Sequence, residues 1–254
     1  MPAAPQPVQS VTRALRVLES LGAAAAQGRM DVGVIDLARA TGLSAATTHR
    51  LLATLVEGGY VTRTEGSYRY RLGARLFALA ANAESPLDSI RQRVAPAMEQ
   101  LRDRYGETVN LAVLERRHIV YVHQVESQRS VRAFNRIGNR VLAHASAAGK
   151  ALLAFGSESA LDGLLGPGGL EVLTPMTVAS GQELRAQLSV IRERGFAFDL
   201  GEQEVDVICV AAPVPTIGWR PTAALSISGP ADRMRRLDLD QLGSTIVQTL
   251  HGAL

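Results

Sequence analysis

The sequence predicts an α+β chain of two domains. A helical unit closed by a β-hairpin comes first, and a larger unit with helices packed on a mainly antiparallel sheet follows. Three observations carry this. Apolar residues recur at helical spacing up to Gly58, then switch to strand alternation between Tyr60 and Leu72. Beyond Ser85-Pro86, helices and strands alternate, but several strands are joined by connections too short for a crossover helix, which favours antiparallel pairing. Charge is also uneven: nine arginines stand against five acidic residues up to Asn82, and eighteen basic against nineteen acidic residues after it. A basic module beside a near-neutral one suits polyanion contact by the first and another task for the second.

The 254 residues leave room for one or two domains and a sizeable core. The one cysteine, Cys209, excludes an internal disulfide and a multi-Cys zinc site, and is compatible with a reducing cytoplasm. The opening MPAAPQPVQ has neither a basic nor an apolar leader region, and no apolar run approaches membrane-spanning length. A cytoplasmic protein with no membrane partner is the expectation.

In chain order, residues 1–9 are rich in Pro and Ala and read as a disordered tail. A helix from Ser10 carries the stripe Val11, Leu15, Leu18 and Leu21, and Gly22 to Met30 reads as a flexible connection. Val34, Leu37 and Ala38 share one face of the next helix. Gly42 supplies the left-handed residue that ends it, Leu43 drops beneath the turn, and Ser44 caps a further helix with apolar Leu51, Leu52, Leu55 and Val56. Two short helices about a Gly-containing turn form a helix-turn-helix. The second begins with small or hydroxyl-bearing residues (Ser44, Ala45, Ala46, Thr47 and Thr48), followed by His49 and Arg50, a start that can sit deep in a major groove. Strands over 60–64 and 68–72 flank the turn Glu65-Gly66-Ser67 and place Arg63, Arg69 and Arg71 on a basic side. Helix, turn, helix and basic wing in that order predict a winged helix-turn-helix over 10–72 that binds DNA. A linker helix over 73–86 follows, ending where Pro86 interrupts the chain.

The second domain, 87–254, opens with a helix to Tyr105 carrying Ile90, Val94, Ala97, Met98 and Leu101. Strands are expected over 108–114, 119–125, 131–134, 196–200, 207–214 and 222–228. Helices are expected from Ser146 to Phe155, near 158–165, over 180–194 with the capping box Ser180/Glu183, and as one amphipathic segment through Met234, Leu237, Leu242, Ile246 and Leu250.

For chemistry, Cys209 lies inside the apolar run VICVAA, where a buried thiol is a small hydrophobe more often than a nucleophile. The segment SAAGKA around Lys150, the only lysine, lacks the other residues of a phosphate loop. Glu202, Glu204 and Asp206 have no supporting His cluster and read as a solvated acidic loop, so neither a metal nor a cofactor is expected. A binding pocket is the better reading. The N–H groups of Ala147 and Ala148, at an unobstructed helix start, suit a carboxylate. Ser226 and Ser228 lie on one face of a strand, where two hydroxyls suit an organic acid. Arg129, Arg132, Arg136 and Arg140 either draw in an acid or form a solvated loop.

The stretches SVTRALRVLESL, LARATGLSAATTHRLLATLVEGGYV, YRLGARLFALA, IGNRVLAHASAAGKALLA, LSVIRERGFAFDLGEQEVDVICVAAPV and AALSISGP, in this order, resemble the IclR-type bacterial transcriptional regulators over nearly the whole chain. The resemblance implies a GAF/PAS-like effector-binding domain, a homodimer through the DNA-binding domains with a homotetramer beyond it, and binding to double-stranded operator DNA as repressor or activator. It also implies a small organic acid or aromatic metabolite as effector, held by backbone at Ala147 and Ala148 and by Asp199, Cys209, Ser226 and Ser228. Leu142, Gly201, Asp206 and the segment Pro215 to Pro221 with Trp219 depart from the family's usual pattern near that pocket, and Ala45 stands where a basic residue is frequent. The alternative is a hydrolase or metal-dependent enzyme with a fused helical domain.

Overall fold

The computed structural model describes residues 7–82, 86–133, 135–166, 169–215 and 221–253. Most of the expected tail, Phe134 and Trp219 lie outside the described residues. The chain forms two compact units, Met1–Glu84 and Ser85–Leu254.

The first unit runs α1 (Gln9–Ala26), β1 (Val32–Gly33), α2 (Val34–Thr41), α3 (Ala45–Glu57), β2 (Val61–Arg63), β3 (Arg69–Leu72) and α4 (Arg75–Asn82). Its strands form an antiparallel sheet in the order β1-β3-β2. The turn between α2 and α3 follows the sequence: Gly42 is left-handed, the Leu43 N–H bonds the Ala38 carbonyl, and Ser44 caps α3.

The first helix corrects two expectations. It runs on through Gly22 to Ala26, so the connection to the next helix is short. Val11 and Leu15, expected in the core, are 55% and 53% exposed. The buried face is instead Val17, Leu21 and Ala24, which share a core with Leu37, Leu52, Leu55 and Tyr70. Both rows have i, i+4, i+7 spacing, so α1 is apolar on two faces and only one is buried by its own domain.

The second unit holds α5 (Pro86–Tyr105), β4 (Thr108–Glu115), β5 (His118–Val125), β6 (Arg140–Leu142), α6 (Ala147–Phe155), α7 (Glu158–Leu164), α8 (Gly181–Arg194), β7 (Ala197–Leu200), β8 (Val207–Pro213), β9 (Ala223–Pro230), α9 (Ala231–Met234) and α10 (Leu239–Gly252). Its six strands are all antiparallel, in the order β6-β5-β4-β9-β8-β7. Alternate strand residues feed two cores. Val109, Leu111, Val210 and Ile227 meet α5, α9 and α10 on one face. Tyr121, Cys209, Ala211 and Ala224 meet α6, α7 and α8 on the other.

Three sequence expectations change here. Residues 131–133 form no strand, and the edge position belongs to β6 instead. The last helix is two, because Asp238 accepts the N–H groups of Asp240 and Gln241 and restarts the chain as α10. The loop after β7 is solvated at Glu204 and Asp206, as expected, but Glu202 is buried and forms an ion pair with Lys150.

Candidate ligand site and nucleic-acid interface

The candidate ligand site is built where α6 begins over the sheet. Ser146 is extended, and its hydroxyl accepts the Gly149 N–H at 3.2 Å. The N–H groups of Ala147 and Ala148, in the first turn, have no helical carbonyl to meet. Gly149 is required by close approach: a Cβ there would lie 2.2 Å from the Ala143 carbonyl oxygen. The helix start is thereby pressed onto the preceding single turn, Ala143–Ala145.

The strands on that face supply a polar row in an otherwise apolar wall. Register places Asp199 opposite Cys209 and Cys209 opposite Ser228. One step along, Ala211 faces Ser226, and Ser226 faces Asn110. All four residues expected from the resemblance (Asp199, Cys209, Ser226 and Ser228) are buried on the side that packs against α6, where Ala147 and Ala148 join the same cluster. Sequence reading missed Asn110. Its side-chain amide donates to the Ser228 hydroxyl at 3.2 Å, and its oxygen accepts from Gln124 at 2.9 Å. The available signal was a single amide inside the apolar run from Val109 to Leu114.

Electrostatics set the character of the site. Burial raises the Asp199 carboxyl from the usual 3.8 to about 7, although its Oδ1 accepts the N–H groups of Gly201 at 3.2 Å and Glu202 at 2.7 Å. Burial first, and Asp199 second, push the Cys209 thiol up. Tyr121 packs in the same buried cluster as Cys209, Ala147 and Ala148, and burial likewise pushes its hydroxyl up. Such a site keeps its thiol and phenol neutral and presents hydroxyls, an amide and helix N–H groups, which recognise a polar head on an apolar body.

Three of the four arginines before α6 have acidic partners that the sequence reading did not assign. Arg129 pairs with the buried Glu107 at 2.7 Å, Arg132 with Glu126 at 3.1 Å and Arg140 with Glu115 at 3.3 Å. Among the described residues no group of His, Cys, Asp and Glu could hold a metal.

In the first unit, Ser44, Ala45, Ala46, His49 and Arg50 are exposed at the start of α3, and Thr47 is half-buried. Thr48 departs from its expected role: it is fully buried, and its hydroxyl bonds the Ser44 carbonyl at 3.0 Å, so it faces the core of its own domain. Arg69 is exposed but held by Asp31, with Nε 2.5 Å from the carboxylate and Nη2 2.9 Å from the carbonyl, and this ion pair lowers the Asp31 carboxyl. Arg63 bonds the Ser67 carbonyl and lies over the Tyr68 ring at 4.4 Å. Arg71 alternates with the buried Tyr70 and is exposed. Ser10 and Arg13 of α1 join Thr47 and Arg50 around a cleft of about 310 Å³, a neighbour relation invisible in the sequence.

A profile of the IclR helix-turn-helix domain matches residues 10–65, and one of the bacterial transcriptional regulator IclR C-terminal domain matches residues 87–251. The chain belongs to the IclR family. It is 36% identical to the HTH-type transcriptional regulator XynR of Escherichia coli (strain K12), covering 91% of this chain and 90% of that protein. It is 34% identical to the acetate operon repressor of Salmonella typhimurium, covering 95% and 87%. An IclR homolog from Microbacterium hydrocarbonoxydans, solved with 4-hydroxybenzoate, superposes with a TM-score of 0.80 at 26% identity, covering 96% of this chain and 97% of that one. The protein is therefore a DNA-binding transcriptional regulator with an N-terminal winged helix-turn-helix and a C-terminal effector-binding domain. Among the described residues no helix is long and apolar enough to cross a membrane.

Proposed function

We propose that this IclR-family regulator acts in the cytoplasm, binds operator DNA as a homo-oligomer and releases or engages it in response to a small organic acid or aromatic metabolite. One observation carries the effector reading: Asp199, Cys209, Ser226 and Ser228 form a buried row across three strands on the face that α6 covers. An effector carboxylate meets the N–H groups of Ala147 and Ala148, and its body lies on the apolar wall. The protein performs no catalysis in this reading. A thiol pushed up by burial stays protonated, and the thiolate is the reactive form.

On the DNA side, Ser44, Ala45, Ala46, Thr47, His49 and Arg50 enter the major groove, and Arg63 and Arg71 follow the backbone from the wing. The exposed second face of α1 (Val11 and Leu15), with Phe77 and Leu79 of α4, is apolar surface of the kind that pairs two DNA-binding domains into a dimer, with a tetramer beyond it. The effector shifts the placement of the paired domains by preferring one arrangement.

A thermal-shift screen over carboxylic acids and aromatic metabolites tests the effector reading, because a ligand of the native state raises its melting temperature. Saturable stabilisation by an acid that is lost in the Ser226→Ala/Ser228→Ala variant supports it, and no response to any acid refutes it. For the DNA reading, Arg50→Ala weakens operator binding by about 1–3 kcal/mol and makes it less steeply salt-dependent. Unchanged affinity and salt slope in a gel-shift titration would remove Arg50 from the interface.

A further inference from the structure

We infer that Gln124 and Asn110 are positioning residues of the effector site: together they fix the Ser228 hydroxyl as a donor, so that the part of the effector resting on it is an acceptor oxygen, of a carboxylate or a carbonyl, and not an N–H group. The inference rests on the effector reading above. The direction is set at a backbone carbonyl. The terminal amide of Gln124, on β5, stands 3.0 Å from the Asn135 carbonyl oxygen, in the segment between β5 and β6. A carbonyl oxygen can only accept, so the Gln124 atom beside it is the nitrogen. The same nitrogen stands 2.9 Å from the end of the Asn110 side chain, opposite it on β4, and can only donate there, so that end is the Asn110 oxygen. The Asn110 nitrogen is thereby turned towards β9, where it donates to Ser228 Oγ at 3.2 Å.

A side-chain amide on its own could face either way. Here turning Asn110 over would set its nitrogen against the Gln124 nitrogen, and turning Gln124 over would set its oxygen against the Asn135 carbonyl. Asn110 and Ser228 are both buried without exposure, where such a mismatch is most costly. Having accepted from Asn110, the Ser228 oxygen has one hydrogen left to give. Within the protein that hydrogen meets the sulfur of Cys209, opposite Ser228 on β8. A thiol sulfur is a weak acceptor, and an effector oxygen displaces it. The helix N–H groups of Ala147 and Ala148 also only donate, so the site asks for acceptors from above and below. Gln124 reaches no ligand in this arrangement; it acts through Asn110 and Ser228.

Neutron diffraction from deuterated crystals of the full-length wild type tests the direction without any variant or ligand. The Asn110 nitrogen is expected to carry a deuteron towards Ser228 Oγ; a Ser228 deuteron pointing at Asn110 overturns the proposal. Calorimetric titration with benzoate and propionate, one aromatic and one aliphatic acid, tests the consequence. The tighter of the two binds Gln124→Met roughly three- to tenfold more weakly than the wild type, as the net worth of one hydrogen bond allows. A spectroscopic signature separates this from a general loss of packing. Cys209 is the chain's one cysteine, so its infrared S–H stretching band is a single reporter. The acid shifts that band in the wild type, as the Ser228 hydrogen leaves the sulfur, and does not shift it in Ser228→Ala. Equal acid affinities in the wild type and Gln124→Met, or a band that the bound acid leaves unmoved in the wild type, overturn the relay while the effector reading stands. Failure of both acids to bind the wild type counts against the effector reading itself, and the proposal falls with it.

Discussion

Two helix starts in this chain share the residues Ser-Ala-Ala, and they sit in opposite surroundings. Ser44-Ala45-Ala46 opens α3, and Ser146-Ala147-Ala148 opens α6. Each serine accepts the N–H three residues on, at 3.2 Å in both. Each helix offers small side chains and unspent N–H groups at its positive end. The surroundings differ. Around α3 the alanines are exposed beside His49 and Arg50, as suits a polyanion that arrives from outside. Around α6 they are buried over Asp199, Cys209, Ser226 and Ser228, as suits one small molecule that must shed its water. The cap does not choose the ligand; burial and the residues opposite do.

The fourth residue after each serine gives the largest test of this contrast. It is Thr48 in α3 and Lys150 in α6, both buried. Lys150→Met leaves the Glu202 carboxylate uncompensated and destabilises the effector domain by about 3–5 kcal/mol. Adding Glu202→Gln returns part of that loss. Thr48→Val removes one hydroxyl bond to the Ser44 carbonyl and costs about 1 kcal/mol in its own domain. Urea unfolding with hydrogen exchange followed separately in the two domains measures both. Equal losses would show that the buried ion pair is no more than a packed side chain.

A pH series sharpens the comparison next. Asp199 holds its proton more tightly folded than unfolded, since burial lifts it from 3.8 to about 7. Its contribution to stability is fully present below pH 4 and falls as pH rises towards 7, at most by about 1.4 kcal/mol per unit. Glu202, Lys150, Cys209 and Tyr121 are the titratable groups around it. Asp199→Asn removes that slope from the effector domain and leaves the DNA-binding domain's pH profile as it was. The difference between the two proteins' stability curves isolates the effect, and a difference that does not vary between pH 4 and 7 would sink it.

Much of this contrast could be read from the chain. The caps at Ser44, Ser146 and Ser180 and the left-handed turns at Gly42 and Gly195 were legible because they depend on one residue and its neighbours. The polar row was legible at Ser226 and Ser228, from alternation on one strand, and at Asp199 and Cys209 only through the family. What failed was whatever needed a partner from elsewhere. Two apolar stripes on α1 have equal spacing, and only the fold decides that Val17 is buried and Val11 is not. A strand of two residues, β1, has no periodicity to read; it exists because β3 offers it Arg69 and Tyr70. Arg69 looks like a free wing cation until Asp31, far off in sequence, is folded beside it. Thr48 looks like its hydroxyl-bearing neighbours until the helix turns it inward.

The smallest expected effect separates the two helix starts at the caps themselves. Ser146→Ala leaves the Gly149 N–H buried beneath α6, with no water to replace the lost oxygen, and costs about 1–3 kcal/mol. Ser44→Ala frees the Thr47 N–H at a surface where water reaches it, so the cost lies nearer the low end of about 0.5–2 kcal/mol. Binding reverses the ranking for DNA. On the proposed interface Ser44 stands on the face that meets the groove, so its loss is expected to weaken operator binding beyond what the change in stability explains, whereas Ser146→Ala leaves DNA affinity without effector unchanged. Melting temperature and gel-shift affinity, measured on both variants, decide between a shared capping role and a divided one. Equal stability losses together with equal operator affinities would mean that burial does not distinguish the two Ser-Ala-Ala starts.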